Sequence, residues 1–200
     1  MARPHSPQAP AAPGRRWPAR VSPAAVALLV ALACTPPPVV REFVIGATLP
    51  LSGGDAAIGQ AMRRGYLRAV EEINRAGGLA VGQQTHVPVR LDVRDDRGEA
   101  SRAEQFAREL LGDGAHLLLA TPVAIRAVSQ AAVAEQLGRP LVVNAQDGEG
   151  LPGPRARWTV VVPASGDVEA RAYAVASRVL RAAAHVHSTD PGVLREALRR

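Results

Sequence analysis

The chain has 200 residues, of which 47% are apolar, 21% charged and 3% aromatic, and its formal net charge is +6. This length and balance indicate one domain or two small ones, and they exclude collagen-like, disordered and polytopic membrane proteins. A single cysteine excludes a disulfide framework and a thiolate zinc cluster, and the absence of lysine excludes a Walker A loop and Schiff-base chemistry.

Residues 1–33 have the order of a secretory signal peptide. They contain four arginines and no acidic residue, and an apolar stretch follows over residues 21–33. As a helix this stretch rises about 20 Å, which is too short for a bilayer core of about 30 Å but suits the apolar part of a signal peptide. Four of the positive charges lie in this segment, which leaves +2 on the remainder. That charge is too small to predict a nucleic-acid partner.

Cys34, the only cysteine, follows this segment directly. A lone cysteine at that position is typical of bacterial lipoproteins, so we predict that Cys34 is lipidated and anchors the chain to a membrane of the cell envelope. The small residues Ala31 and Ala33 equally suit ordinary signal-peptidase cleavage, and the alternative is an exported protein without a lipid. In either case residues 34–41 form a proline-rich tether.

From residue 42 onward, short apolar runs alternate with amphipathic stretches whose apolar residues recur at intervals of three and four. The runs predict buried strands at residues 42–49, 87–93, 116–120 and 141–144. The amphipathic stretches predict helices at residues 58–73, 103–111 and about 123–137. Strands that alternate with helices predict an α/β fold with a doubly wound parallel sheet and helices on both faces.

The last quarter of the chain has a looser pattern. Residues 148–154 resemble a linker, and residues 158–162 predict one more strand. An alanine-rich helix is predicted over residues 169–185. Asp190 is the expected N-cap of a final helix, with Pro191 in its first turn.

Two further expectations concern polar residues in the loop at residues 94–100 and at the start of the helix that follows it. Asp95 and Asp96 are predicted to form a solvated turn whose charges favour the start of the next helix. Ser101 and Glu104 have the spacing of a capping box at that start. The arginine-rich helix faces are predicted to be solvated surface.

The sequence contains no recognisable catalytic or cofactor motif. Gly53, Gly54 and Gly59 do not form a dinucleotide-binding fingerprint, and no serine lies in a nucleophile-elbow motif. His185 and His187 are two residues apart and therefore lie on different faces of a helix, so we predict surface residues and no metal site. We accordingly expect no catalytic residue and no cofactor, and an enzyme ranks behind a binding protein.

Several segments within residues 42–147 resemble the start of the periplasmic solute-binding proteins of the leucine/isoleucine/valine-binding family. They are residues 45–53, 59–60, 64–65, 69–78, 95–96, 103, 132–135 and 138–142. The run Glu71-Glu72-Ile73-Asn74 followed by Gly77-Gly78 is the most specific of them. The resemblance implies a type I periplasmic-binding-protein lobe in an exported protein that presents an amino acid or a similar small polar solute to an ABC permease.

The resemblance also implies solute contacts in the loops at the carboxyl ends of the strands. The positions that match are Ser52, Thr121, Ala124, Ala145 and Asp147. Two departures bear on the solute. Val123 and Ala124 stand where the family has paired serines that receive the ligand carboxylate, and Asp147 stands where a hydroxyl residue is expected. Both departures weaken the expectation of amino-acid binding.

Members of the family are much longer than this chain. Residues 172–198 resemble the late segment with which such proteins return to their first lobe, so the second lobe is expected to be largely absent between residues 162 and 168. Residues 42–200 then form a single lobe, made of a main part at 42–162 and returning helices at 168–200. One wall of a cleft would hold amino acids no tighter than about millimolar. The alternative is a single-lobe remnant or partner-docking module without a ligand.

Overall fold

The computed structural model describes residues 40–82, 85–120, 124–144 and 156–200, without the side chains of residues 124 and 125. The predicted signal peptide, Cys34, most of the tether and the linker at 148–154 lie outside the described residues. Among the described helices, none is long and apolar enough to cross a membrane.

The described elements alternate between strands and helices, as predicted. The strands are β1 (Phe43–Leu49), β2 (Leu79–Val81), β3 (Thr85–Val87), β4 (Val89–Asp95), β5 (Leu117–Leu119), β6 (Leu141–Asn144) and β7 (Thr159–Val162). The helices are α1 (Ala56–Arg75), α2 (Ala100–Gly112), α3 (Ala124–Leu137), α4 (Val168–Val186) and α5 (Pro191–Arg199). The bounds confirm the predicted strands and helices to within a few residues, apart from the short strands β2 and β3.

Five strands form one sheet in the order β4-β1-β5-β6-β7, and every pair in it is parallel. β1 pairs with β4 along its whole length, from Phe43 opposite Val89 to Leu49 opposite Asp95. The chain therefore winds from β1 outward to β4 and then crosses to β5 on the other side. This order is that of a doubly wound sheet, which confirms the predicted fold class.

The two faces of the sheet pack against helices in two separate hydrophobic cores. Phe43, Ile45, Ala47 and Leu49 of β1 pack with apolar residues of α1, α4 and α5. Val44 points the other way, into a core that α2 and α3 complete. Because successive strand residues face opposite sides, the central strands β1, β5 and β6 contribute to both cores, whereas the edge strands β4 and β7 contribute only to the first, which α1, α4 and α5 share.

The contact between α1 and α4 depends on a glycine. A Cβ added at Gly65 would lie 2.3 Å from the carbonyl oxygen of Glu169 and 2.8 Å from the Cβ of Ala172. The two helix backbones therefore approach at this point as closely as a glycine allows. The position lies in one of the segments that carry the family resemblance, and its role is to seat α4 on α1.

A small antiparallel hairpin of β2 and β3 was not predicted, because three-residue strands carry too little periodicity to be recognised. Asn74 connects the end of α1 to the strand that follows this hairpin. Its Nδ2 donates to the carbonyl oxygen of Val89 and its Oδ1 accepts from the N–H of Val89, both at 2.8 Å. The asparagine of the specific motif thus holds α1 against β4.

The predicted helix starts are confirmed in one case and wrong in another. Asp190 caps α5 by accepting from the N–H of Val193 at 2.9 Å, with Pro191 at the first position. The capping box at Ser101 and Glu104 is absent, because α2 begins at Ala100 and its N-cap residue is Glu99, which makes no side-chain cap bond. The turn at residues 96–99 moves the helix start ahead of Ser101.

Candidate functional site

The carboxyl edge of the sheet is where ligands bind in doubly wound folds, at the point where the strand order reverses. In this chain that point lies between β1 and β5. Three connections meet near it: the loop after β1, the turn after β4 and the start of α3. The described side chains at this edge form a polar cluster on one side and a small cavity on the other.

Asp95, the last residue of β4, organises the loop after β1. Its Oδ1 accepts from the N–H groups of Leu51 at 2.8 Å, Arg97 at 3.0 Å and Ser52 at 3.2 Å. Its Oδ2 accepts from the Ser52 hydroxyl at 2.6 Å. Burial alone would raise the pKa of Asp95, but these hydrogen bonds outweigh it and lower the pKa. The carboxylate is therefore a structural anchor, which corrects the prediction of a solvated turn.

Ser52 is exposed on this loop, where the sequence placed a solute contact. Its hydroxyl proton is already donated to Asp95, so the oxygen is left with lone pairs that accept. In this arrangement Ser52 offers a solute an acceptor, for an N–H or O–H group, and has no proton to give to a carboxylate.

Asp96 is fully buried, with 0% of its surface exposed, which also contradicts the solvated turn. Its Oδ1 accepts from the N–H of Gly98 at 2.8 Å, while its Oδ2 is buried without a hydrogen-bond partner. Burial raises the pKa of Asp96, and the N–H of Gly98, the charge of Arg126 and the hydroxyl of Thr48 offset only part of that effect.

Arg126 joins the three connections at this edge. It lies in the first turn of α3 and is only 3% exposed, so it is an exception to the prediction that the helix arginines are solvated. Its Nη1 donates to the carbonyl oxygen of Gly98 at 2.9 Å, and its Nη2 donates to Asp55 at 3.1 Å. Asp55 is in the loop after β1 and Gly98 in the turn after β4. The guanidinium therefore fixes both loops relative to α3.

The cavity lies at the carboxyl ends of β5 and β6, between α1 and α4. Its polar lining comes from Tyr66, Asn144 and Arg171, and its apolar lining includes Met62 and Val175. The cavity has a volume of about 10 Å³, which is roughly enough for one water molecule.

Two polar side chains that line the cavity, Tyr66 and Arg171, donate hydrogen bonds to backbone carbonyl groups. The hydroxyl of Tyr66 donates to the carbonyl oxygen of Ala120, just beyond β5, at 3.3 Å. Arg171 donates from Nη1 to the carbonyl oxygen of Gly166 at 2.8 Å, whereas its Nε is buried without a hydrogen-bond partner. In the part of the chain that the structure describes, the Nε of Arg126 is also buried without a hydrogen-bond partner.

The structure locates only some of the predicted solute contacts. Ser52 lies at the expected edge, and Ala124 is the first residue of α3, whose amides were the expected contact. Thr121, Ala145 and Asp147 lie outside the described residues, as does Cys34. Val123, the departure from the serine pair, also lies outside them.

Sequence reasoning missed Arg126 and Arg171, although each left a signal. Arg126 is in helical register with the buried residues Gln130 and Val133. Arg171 is in register with Val168 and Val175 on the packed face of α4. A charged side chain within a buried helical stripe is uncommon, and that spacing was the available clue.

A family model described as periplasmic binding protein matches residues 42–199. Because the match covers most of the chain, this protein belongs to the periplasmic binding protein family. The resemblance found in the sequence is confirmed, and the doubly wound sheet described above is a lobe of that family's type.

Curated relatives have Leu/Ile/Val-binding names. The Leu/Ile/Val-binding protein BraC3 of Rhizobium johnstonii is 36% identical over 88 residues, which are 44% of this chain and 23% of that protein. The Leu/Ile/Val-binding protein homolog 3 of Brucella melitensis is 38% identical over 73 residues, which are 36% of this chain and 18% of that protein. The matched region thus spans about a quarter or less of these relatives.

A solved structure shares the fold. The branched-chain amino acid transporter substrate-binding protein LivJ of Streptococcus pneumoniae, crystallised with isoleucine, aligns with a TM-score of 0.51 and 21% identity. The alignment covers 60% of this chain and 33% of that protein. At this identity the likeness describes the fold alone, and it agrees with the parallel sheet described above.

Proposed function

We propose that this protein is the exported substrate-binding component of an ABC importer for amino acids or similar small polar solutes, and that it has no catalytic activity. The observation that carries the proposal is the periplasmic-binding-protein match over residues 42–199. The names of the relatives from Rhizobium and Brucella favour branched-chain amino acids among the possible solutes.

The carboxyl edge of the sheet is the proposed solute surface. Ser52 contributes an exposed acceptor there, and the first amides of α3, from Ala124 onward, contribute donors. Thr121, Ala145 and Asp147 are proposed to complete the surface from the neighbouring loops. No cofactor or metal is part of the proposal. Residues 42–200 are proposed to act as one lobe.

Binding of leucine, isoleucine and valine to the purified chain tests this function. We expect saturable binding with a dissociation constant of about 1 mM, which corresponds to roughly 4 kcal/mol, because a lobe that supplies one wall buries only part of the solute. Isothermal titration calorimetry with glycerol as a non-binding control measures it. Absence of binding to every amino acid and small polar solute tried would favour the alternative, a partner-docking module without a ligand.

We also propose export through residues 1–33 and retention at a membrane of the cell envelope through Cys34. The order of arginines, apolar stretch and lone cysteine supports both. Fractionation of cells expressing the wild type and Cys34→Ala tests them separately. We expect the wild type in the membrane fraction and the variant in the released periplasmic fraction. Equal release of both would exclude the anchor, and retention of both in the cytoplasm would exclude export.

A further inference from the structure

We propose that two copies of this chain pair through the free edge of β4, so that their five-stranded sheets join into one continuous sheet. The proposal goes beyond the proposed function, and neither depends on the other. It starts from the place of β4 at the end of the strand order and from the backbone groups that this strand turns away from β1.

The odd-numbered residues of β4 present their backbone groups to the free edge. The N–H of Phe43 in β1 donates to the carbonyl oxygen of Pro88 at 2.8 Å, and the N–H of Asp96 donates to that of Leu49 at 3.0 Å. Even-numbered positions therefore turn their backbone groups toward β1. The direction alternates along a strand, so the odd-numbered positions turn theirs outward. These positions are Val89, Leu91, Val93 and Asp95.

Asn74 occupies the first of these positions. Its side-chain amide bonds both backbone groups of Val89, each at 2.8 Å. Leu91, Val93 and Asp95 are left, and within the described ranges β1 is the one strand that pairs with β4. Free backbone groups in a row at the edge of a sheet are a template for a further strand.

A groove with apolar side chains runs beside this free edge. It has a volume of about 350 Å³ and lies between α1 and β4. Its apolar lining consists of Leu51, Leu67, Leu91 and Val93. Val89, at the start of the strand, is 4% exposed, whereas Leu91 and Val93 are only half-buried. The helix thus leaves β4 uncovered at the residues whose backbone groups are free.

The opposite face of β4 carries a row of alternating charge, in which Asp92 binds Arg90 at 3.1 Å and Arg94 at 3.2 Å. This row is complementary to itself in an antiparallel pair that sets Val93 opposite Val93 of the second copy. Asp92 then lies opposite Arg94 of the second copy, and Arg94 opposite its Asp92. Opposite charges directly across a strand pair stabilise it.

The same register uses all the free backbone groups. The two Val93 residues exchange a pair of hydrogen bonds, and Leu91 of each copy exchanges another pair with Asp95 of the other. Because the two strands are related by a twofold axis, each copy uses the same edge and the assembly closes as a dimer.

The neighbouring registers are less favourable. A pair centred on Asp92 sets Asp92 against Asp92 and Arg90 against Arg94, which places like charges directly opposite each other. A pair centred on Leu91 requires the backbone groups of Val89, which the amide at the end of α1 already bonds. The pattern of charges and free groups therefore fits a second copy of this chain in one register.

Amide hydrogen exchange of the purified full chain tests the pairing without a variant. We expect a dissociation constant between about 10 and 100 μM, as for small and transient interfaces. The N–H groups of Leu91, Val93 and Asp95 should then exchange at least about threefold more slowly at about 1 mM protein than at about 20 μM. Those of Arg90 and Asp92 face β1 in either state, so their exchange should stay within about twofold.

Either of two results of this measurement would overturn the proposal. Equally fast exchange of the outward groups at both concentrations would show that the edge stays open to water. Equally slow exchange would show that another segment of the same chain covers it.

Exchange of charges in the row tests the register by analytical ultracentrifugation. Arg94→Asp places acidic side chains opposite each other and is expected to weaken dimerisation by about tenfold. The double variant with Asp92→Arg and Arg94→Asp restores opposite charges and is expected to lie within about threefold of the wild type.

Arg102→Asp is the matched control, because it makes the same change of charge at an exposed arginine on α2. It is expected to dimerise within about twofold of the wild type. Equal dissociation constants for Arg94→Asp and Arg102→Asp, or a double variant as weak as Arg94→Asp, would contradict the proposed pairing of β4.

Discussion

The two sides of the carboxyl edge are held together by different contacts. On one side, the loop cluster of Asp55, Asp95, Asp96 and Arg126 joins residues that are far apart in the sequence. On the other side, α1 and α4 meet through apolar packing, and the hydrogen bond of Arg171 goes to the carbonyl oxygen of Gly166, 5 residues earlier. Both sides keep buried polar atoms without a hydrogen-bond partner in the described part of the chain, namely the Oδ2 of Asp96 and the Nε atoms of Arg126 and Arg171.

A charged residue near the expected binding edge is not by that fact a ligand contact. Asp95 follows a strand of the sheet at the correct edge, yet its carboxylate accepts four hydrogen bonds from its own chain. Changes in the loop cluster should therefore alter stability in a pH-dependent way, whereas changes in the packing of α1 against α4 should alter it at every pH. Four predictions test that division, beginning with the largest effect.

The seam between α1 and α4, on which the cavity depends, should be the most sensitive position. Gly65→Ala is expected to lower the free energy of unfolding by about 3 kcal/mol, because the added Cβ meets backbone atoms that cannot yield without moving α4. Urea denaturation measures the change. Gly112→Ala, in a helix with nothing within 4 Å of the added Cβ, is the control. It should be stabilising by about 0.5 kcal/mol. Equal effects of the two would show that α4 does not rest on Gly65.

Arg126 should matter to stability in a pH-dependent way. Arg126→Met is expected to lower the free energy of unfolding by about 2 kcal/mol at pH 8, because the hydrogen bonds to Asp55 and Gly98 are lost. The variant also lacks the positive charge that offsets the negative charge of the buried Asp96. The pKa of Asp96 is already raised in the folded chain and should rise further in the variant. A raised carboxyl pKa favours folding at low pH and loses that benefit as the pH rises through the folded value.

The loss of unfolding free energy in Arg126→Met, relative to the wild type, should therefore become smaller as the pH falls from 8 to 4. Urea denaturation at the two pH values measures it. Arg102→Met is the control, since Arg102 forms only an exposed surface pair with Glu99. A deficit of Arg126→Met that does not change with pH would contradict the link between Arg126 and Asp96.

Asp95 should show the opposite pH dependence. Its pKa is lowered in the folded chain, so its carboxylate stabilises the fold above its ordinary pKa of 3.8, and that contribution is lost as the pH falls through the lower folded value. Asp95→Asn is expected to cost about 1 kcal/mol at pH 7 and close to nothing below pH 2. Asp113→Asn, at an exposed aspartate, should have little effect at either pH. If the free energy of unfolding depended on pH in the same way in both variants, Asp95 would not be a structural anchor.

Ser52 should produce the smallest change. Because its side chain is exposed and its hydroxyl contributes one hydrogen bond to Asp95, Ser52→Ala is expected to lower the free energy of unfolding by about 0.5 kcal/mol. As a proposed acceptor for the solute, it should also weaken leucine binding by about twofold, measured by NMR titration. A tenfold loss of affinity would instead make Ser52 a main contact of the solute, beyond its role as a partner of Asp95.

Local patterns in the sequence determined the order of the elements. The apolar run at residues 42–49 and the three-and-four spacing at 58–73 predict β1 and α1 because each pattern has the period of its own element. Asp190 and Pro191 predict the start of α5 because a cap depends on residues within one turn. The β2–β3 hairpin and the start of α2 escaped prediction, since neither extends over enough residues to show a period.

The tertiary contacts determine which polar residues hold distant parts of the fold together. Asp95 and Asp96 are neighbours in the sequence, yet one holds the loop after β1 and the other is fully buried and interacts with the charge of Arg126. Arg126 and Arg171 are arginines on amphipathic helices, like many others in the chain. Arg126 nevertheless bonds to acceptors 28 and 71 residues away, whereas Arg171 bonds to Gly166, 5 residues earlier. Contacts over such separations are created when the sheet and helices assemble, and for this reason no local pattern records them.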